Sequence, residues 1–242
     1  MRRLPTLLLA LVAGFAGAAL WDLSGLSSQL SGGDTRAALL ARPEMLTEAM
    51  EVLRQREQQA RIAPLRAELE SGPGGAVLGN PDGAVTLVEF SDYACGFCRQ
   101  SVADVEALIA AHPDLRVVVR EYPVLSEQSV AAARMALAAD RQGRYAAFHQ
   151  AMFRLGPPSA ATIEAAARAA GVDLPQARAV IATGGLDAAL QANGQLAATL
   201  GIQGTPAFVV GDRMLNGAVG ARAIGAAIAE AREADSSGAA PS

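Results

Sequence analysis

Along the chain the pattern of hydrophobic and polar positions changes texture several times, and each change predicts a different kind of element. Behind Met1-Arg2-Arg3, residues 4–20 carry no charge and are interrupted only by Pro5, Gly14 and Gly17. Residues 22–42 are small and polar, with Ser24, Gly25, Ser27, Ser28, Ser31, Gly32 and Gly33, and turn helical from about Asp34. Pro43-Glu44 opens a helix, with proline in the first turn and an acid near the positive end of the dipole. Leu46, Ala49, Leu53, Ala60 and Ala63 then keep a three-four spacing with Arg56 in the seam. Pro64 interrupts this run and Gly72-Pro73-Gly74-Gly75 ends it.

From Ala76 onward the spacing alternates. Ala76-Val77-Leu78-Gly79 and Thr86-Leu87-Val88-Glu89-Phe90 predict two strands around an Asn80-Pro81-Asp82-Gly83 turn. Residues 98–111 are helical in pattern and stop near His112-Pro113, and 115–121 read as a short buried strand around Val117-Val118-Val119. Residues 127–200 are almost wholly helical, divided at Gly156-Pro157-Pro158, Gly171 and Gly184-Gly185. Residues 206–210 and 214–216 form a strand pair around Gly211-Asp212, and a last helix covers about 221–233. The order is β-α-β, a helical block, then β-β-α. It describes an α/β chain with a thioredoxin-type sheet and a helical domain inserted in its middle.

Composition narrows what this fold can do. The chain has 242 residues, 51% of them hydrophobic, and a formal charge of −4 with acids and bases interspersed. No basic cluster is large enough to follow a phosphate backbone, so nucleic acid is not an expected partner. All twenty basic residues are arginine, which excludes Schiff-base chemistry on a lysine. The seventeen residues of 4–20 are short for a membrane span, which needs about 20, and ample for a signal peptide. Ala16-Gly17-Ala18 supplies a cleavage site, whereas Trp21 suits an interfacial anchor. A removed signal peptide is the reading, a retained inner-membrane anchor the alternative, and under either the rest of the chain is exported. The domain plan is then a signal or anchor at 1–20 and a tether with helical extension at 21–75. A redox domain at 76–235 contains the helical insertion at about 127–200, and 236–242 form a disordered tail.

Export gives the cysteines their meaning. There are only two, Cys95 and Cys98, and chance would place two cysteines so close in roughly one such chain in a hundred. A structural staple gains most by closing a long loop, and this pair closes almost none. Disulfide exchange needs a nucleophilic sulfur and a second thiol near enough to resolve the mixed disulfide. Cys95-Gly96-Phe97-Cys98, lying between a strand and a helix, provides both. If the helix begins at the motif, its free N–H groups and positive end face the first sulfur, and such helix starts lower thiol pKa values. Gly96 and Phe97 add no charge. The competing chemistry, half of a zinc site, needs a second ligand pair. The only histidines, His112 at a helix end and His149 among helix aromatics, do not form one, so no metal and no cofactor beyond the cysteine pair is expected.

Other residues attach to this centre. Strand alternation sets Glu89 on the face opposite Val88, where a buried carboxylate with a raised pKa could take the Cys98 proton. The alternative is an exposed edge-strand acid. Asp92 and Tyr93 read as loop residues shaping the motif, and Arg99 as a helix residue near the thiolate. Gly204-Thr205-Pro206 opens a late strand, where proline is tolerated only at the start or an edge. A cis bond there would leave the Thr205 backbone free to pair with a substrate chain.

The run Val88-Glu89-Phe90-Ser91-Asp92-Tyr93-Ala94-Cys95-Gly96-Phe97-Cys98 resembles the DsbA family of bacterial periplasmic thiol–disulfide oxidoreductases. So do Phe148-His149-Gln150-Ala151-Met152-Phe153, Gly204-Thr205-Pro206-Ala207-Phe208 and Leu215-Asn216-Gly217. The resemblance, spanning about 76–233, implies a thioredoxin fold with an inserted helical domain. It also implies Cys95 as attacking and Cys98 as resolving cysteine, Pro206 as a cis-proline after Thr205, and Glu89 as the buried acid. The helix at 43–70 looks like the N-terminal extension of ScsC-like and outer-membrane-antigen relatives, some of which use it to oligomerise and act as isomerases. The expected function is dithiol oxidation in exported proteins, with substrates bearing thiols or disulfides and a membrane redox partner. The rivals are an isomerase or reductase assembled as a homo-oligomer through 43–70, and a non-catalytic tethered binding module.

Overall fold

The structure is a computed structural model that describes residues 32–238. The stretch 4–20, read above as signal or anchor, the residues up to 31 and residues 239–242 lie outside the described residues. The chain divides into two compact units, one ending at Arg54 and the other starting at Gln55. In the first lie α1 (Gly32–Ala41) and the opening turns of α2 (Glu44–Ile62). Leu40, Leu46, Met50 and Leu53 are exposed there. None of the described helices is long and apolar enough to cross a membrane.

The second unit starts inside α2. After a 3-10 turn at Ala63–Leu65, where Pro64 sits at the start, come α3 (Arg66–Ser71), β1 (Gly75–Gly79), β2 (Val85–Ser91), α4 (Gly96–Ala111) and β3 (Leu115–Glu121). Five helices follow: α5 (Glu127–Asp140), α6 (Tyr145–Leu155), α7 (Ala160–Ala169), α8 (Leu174–Ala182) and α9 (Gly185–Leu200). The chain returns through β4 (Ala207–Val210) and β5 (Arg213–Asn216) to α10 (Ala221–Gly238). Local chemistry sets the breaks in the helical block. Ser126, Ser159 and Asp173 each accept the backbone N–H three residues on, capping α5, α7 and α8. One break escaped the sequence reading: α5 and α6 are separated at residues 141–144, where Gly143 adopts a positive φ of 66°.

The five strands lie in the order β1-β3-β2-β4-β5. β2 and β3 are parallel, joined through α4, and the other neighbours are antiparallel. The strands flanking the Asn80-Pro81-Asp82-Gly83 turn are therefore not partners. β3 lies between them, pairing Val118 with Val77 on one side and Val88 on the other. Val117, Val118 and Val119 are all buried, so β3 needs cover on both faces and neighbours on both edges. The turn serves as a bridge instead, with the Asn80 side chain donating to the Pro113 carbonyl at 2.9 Å.

Alternation along the central strands sorts the core into two layers. Val85, Leu87, Leu115, Val117, Val119 and Phe208 face α4, α10 and the helical block. Val88, Phe90, Val118, Ala207 and Val209 face Ile62, Leu69 and the end of α9 at Leu196 and Leu200. Residues 62–69, assigned from sequence to the extension, thus share with the end of α9 the covering of one side of the sheet. Arg120 fixes them there. It is fully buried, and its guanidinium donates to the carbonyls of Glu68, Leu69 and Pro73 and to the Asn193 Oδ1. The Glu68 and Leu69 carbonyls lie at the C-terminal, negative end of α3 and Pro73 just beyond it, which suits a buried cation.

Leu69→Ala should therefore lower the unfolding free energy by about 2–5 kcal/mol, as buried large-to-small changes do. A denaturant melt giving a loss within about 0.5 kcal/mol, the range of surface changes, would place 62–71 outside the core.

Candidate functional site

β2 ends at Ser91, and the three residues to Cys95 turn the chain from strand into helix. Asp92 governs that turn. Its Oδ1 accepts the Ala94 N–H at 2.8 Å, and its backbone carbonyl accepts the Cys95 N–H at 3.0 Å. Its Oδ2 takes the N–H groups of Val124 and Leu125 at 2.9 and 3.0 Å, tying the segment after β3 to the same corner. Cys95 is then the N-cap of α4, with extended dihedrals and a carbonyl that accepts the first helical bond from Arg99. The first-turn N–H groups beyond it have no partner within the helix.

The two thiols are free and differ in surroundings. Cys95 keeps 7% exposure, and its thiol donates to the Thr205 carbonyl at 3.2 Å, across the cis Thr205–Pro206 corner from α4. Cys98, one turn deeper, is completely buried. Burial pushes its thiol up to about 12, and the Glu89 charge adds to that, while the Asp92 backbone and the Thr205 hydroxyl pull the other way. Glu89 lies beneath it on the face with Leu87. It is 3% exposed, and burial raises its carboxyl to about 7. The Ser91 hydroxyl eases both groups toward ionisation, although it completes no hydrogen bond of normal geometry. Glu89 is thus the buried carboxylate on an inner strand, not an edge acid.

A second buried acid stands alongside. Register places Glu121 opposite Ser91, and its Oε1 accepts the phenols of Tyr93 at 3.0 Å and Tyr145 at 2.8 Å. Burial is the largest influence raising it to about 8; the phenols oppose this, and the charges of Asp92 and Glu89 add to it. His149 Nδ1 lies 3.2 and 3.4 Å from the same phenols, and burial lowers its imidazole to about 4. Rings of Phe148 and Phe153 close round Tyr93 at centroid distances of 5.9 and 4.9 Å.

The sequence-predicted residues accordingly come together: Cys95, Gly96, Phe97, Cys98, Glu89, Thr205 and Pro206 occupy one corner of the sheet. Gly96 and Phe97 are exposed, and Arg99 is half-buried without a carboxylate partner among the described residues. His112 caps the far end of α4 beside Arg232, away from the thiols. Among the described residues no group of three or more His, Cys, Asp or Glu is arranged to hold a metal. Sequence reasoning missed Glu121 and Tyr145. The alternation Leu115, Val117, Val119 did point Glu121 inward, toward Glu89, but Tyr145 carried no such signal.

An α/β sheet of this order, bearing a C-x-x-C at a strand-to-helix corner over a buried acid, defines a thiol–disulfide oxidoreductase. The chain belongs to the DSBA-like thioredoxin domain family, whose model matches residues 86–229. It is similar to a thioredoxin-like oxidoreductase from Silicibacter pomeroyi DSS-3 at 40% identity, covering 69% of this chain and 98% of that one, with a TM-score of 0.67. A periplasmic thioredoxin-like protein from Salmonella enterica serovar Typhimurium is 29% identical over 69% of this chain and 95% of its own, with a TM-score of 0.61. The catalytic domain of Proteus mirabilis ScsC is 27% identical over 72% and 97%, with a TM-score of 0.65. No curated protein matches the sequence.

Glu89 carries a stability cost with a defined pH dependence. Its carboxyl moves from 4.5 to about 7 on folding, so the native state holds the proton more tightly and stability falls as pH rises from about 4.5 to about 7. Glu89→Gln should be stabilised by on the order of 3 kcal/mol at pH 8 and unchanged at pH 4. Identical melts of the two proteins at pH 8 would mean that the carboxyl is not desolvated.

Proposed function

We propose that this chain is a periplasmic dithiol oxidase acting on exported proteins, with Cys95 as the sulfur attacked and Cys98 as its resolving partner. In the oxidising direction a substrate thiolate attacks Cys95 Sγ of the Cys95–Cys98 disulfide. The S–S bond breaks and Cys98 leaves as a thiolate. Glu89 protonates that thiolate, and a second substrate thiol then displaces Cys95, leaving an oxidised substrate and a reduced pair. A disulfide-bearing or quinone-linked membrane partner would reoxidise the pair.

The asymmetry of the two thiols carries the reading. Cys95 keeps a surface opening at a helix start, and Cys98 is sealed against an acid whose proton affinity lies well below its own. The proton therefore has a fixed home on Cys98 in the reduced state and a fixed donor in the oxidised one. Exposed Phe97, Val124 and Leu125 surround the Cys95 corner, an apolar margin suited to unfolded polypeptide. The export signal read at 4–20 and the periplasmic relative support the location.

Titration of the cysteine pair against glutathione should give a potential more oxidising than thioredoxin's roughly −270 mV, together with disulfide formation in a dithiol peptide. A potential at or below that value would make the protein a reductant and overturn the oxidase reading. Cys98→Ala should accumulate mixed disulfides through Cys95, and Cys95→Ser should accumulate none.

One observation favours a second reading, an isomerase built from several copies. Leu46, Met50 and Leu53 lie at i, i+4 and i+7 on α2, all exposed, which is the spacing of a helix-pairing seam. Light scattering of the exported chain should then give a multiple of the protomer mass, and Leu46→Glu with Leu53→Glu should reduce it to one protomer and abolish unscrambling of a mispaired substrate. A wild-type monomer removes this reading and leaves the oxidase one in place.

A further inference from the structure

Four side chains from three separate parts of the chain close a ring of hydrogen bonds behind the redox corner. Tyr93 comes from the motif loop, Glu121 from the end of β3, and Tyr145 and His149 from successive turns of α6. The Tyr93 phenol donates to Glu121 Oε1 at 3.0 Å, and the Tyr145 phenol donates to the same oxygen at 2.8 Å. Because both phenols donate there, His149 Nδ1–H is the donor to their oxygens, at 3.2 and 3.4 Å, and the ring is complete. All four side chains are buried. Among the described residues no cation pairs with Glu121, so its burial carries a desolvation cost that an apolar residue would avoid. What the carboxyl does is hold two phenols at one point. Beside the ring α6 is not flush with the sheet: a cleft of about 360 Å³, with Glu89 and His149 in its lining, opens between β1, α4 and α6. Helix α6 meets the motif loop through the ring and through Phe148 and Phe153, which pack on Tyr93.

Resting on the oxidase reading above, we propose that Glu121 and Tyr145 are positioning residues of the redox centre, closing a ring that fixes the loop ahead of Cys95 and so the lie of Cys95 Sγ at the start of α4. The path from ring to sulfur is two residues long. Tyr93 is held by its phenol, Ala94 and Cys95 by their N–H groups on Asp92, and the Cys95 thiol then reaches the Thr205 carbonyl at 3.2 Å. A loop released at Tyr93 turns about Asp92, and the sulfur loses its place over the first-turn N–H groups of α4. Displacements of about 1 Å at a reacting atom can cost about a hundredfold in rate. The two redox states depend on the loop unequally. In the oxidised form the Cys95–Cys98 bond itself holds Cys95, whereas in the reduced form only the loop and the helix start do. The ring therefore stabilises the reduced form relative to the disulfide, which makes the couple more oxidising. Both residues act through Tyr93 rather than on the sulfurs, and through them the helical insertion takes part in disulfide exchange.

Tyr145→Phe opens the ring and keeps the aromatic side chain in place. Alkylation of reduced Cys95 by iodoacetamide at pH 6 should slow about threefold to tenfold in this variant, the range set by one hydrogen bond. The equilibrium with glutathione should move by the same factor, about 15–30 mV toward reducing. Glu121→Leu, which removes the shared acceptor, should match or exceed this shift. Glu121→Gln keeps the acceptor and, at pH 6, below the value of about 8 to which burial raises the acid, matches its protonated form, so it should restore wild-type reactivity and potential. Tyr93→Phe added to Tyr145→Phe should cost less than the sum of the single changes, since either one opens the ring. Unchanged reactivity and potential in both Tyr145→Phe and Glu121→Leu, whatever their melting temperatures, would make the ring structural alone and overturn the proposal. Equal shifts in Glu121→Gln and Glu121→Leu would assign the effect to the acid's charge and overturn it as well. A wild-type potential at or below thioredoxin's overturns the oxidase reading instead, and the difference between wild type and variants still decides the role of the ring.

Discussion

Two parallel strands, β2 and β3, are buried on both faces, and each carries ionisable residues near its C-terminal end. That constraint shapes everything round them. Alternation sends Glu89 and Glu121 to one side of the sheet and Arg120 to the other, and none of them can reach bulk water. A buried charge must be paired, hydrogen-bonded or neutralised. Each of the three meets this requirement differently, and the differences determine what packs where. Arg120 gathers the carbonyls at the end of α3 and so holds residues 62–73 onto the sheet. Glu121, raised to about 8 by burial, takes phenol donors from the motif loop and from the helical insertion, joining the two. Glu89 receives no good hydrogen bond at all, and it lies under Cys98.

The third case is the one that matters for chemistry. A carboxyl without donors is an inefficient way to stabilise a protein, since a leucine or glutamine in its place would avoid the desolvation. What burial provides is a proton affinity near neutrality, next to a thiol whose own affinity is far higher. The unsatisfied state of Glu89 is therefore coherent with a group that has to gain and lose a proton in each cycle.

Much of this was legible in the chain beforehand, and the reason is the period of the structure. A strand that alternates and a helix that begins at a cysteine are local patterns, so the redox corner and the loop role of Asp92 could be read from neighbours in sequence, while periodicity left Glu89 open between a buried acid and an exposed edge-strand one. Sheet order could not. Ala76–Gly79 and Thr86–Phe90 look like a hairpin because the turn between them is well formed, and only the demand of β3 for two neighbours separates them. The membership of Ile62 and Leu69 in the core was hidden for a related reason. Ile62 ends a helix that is charged and exposed over most of its length, Leu69 sits in the short helix after it, and both resemble parts of a solvated extension until the bare side of the sheet is known. Tyr145 and His149 were invisible as site residues because they arrive from the insertion, far along the chain.

The insertion then has a role in the site beyond filling space. Helix α6 supplies Tyr145 to Glu121, stacks His149 and Phe153 against Tyr93, and forms one wall of the cleft over Glu89. Tyr93 stands two residues before Cys95, so the ring cluster fixes the corner from behind while Asp92 fixes it from the side. The dipeptide between the cysteines contributes little by comparison: Gly96 touches nothing that a side chain would meet, and Phe97 points into solvent. Tuning of the couple in this chain must therefore come from the start of α4, the Thr205 carbonyl and the buried acids, which α6 in part holds in place. A sheet of this kind without the insertion would retain the cysteines, but it would lose the phenols that keep Glu121 satisfied and the wall that encloses Glu89.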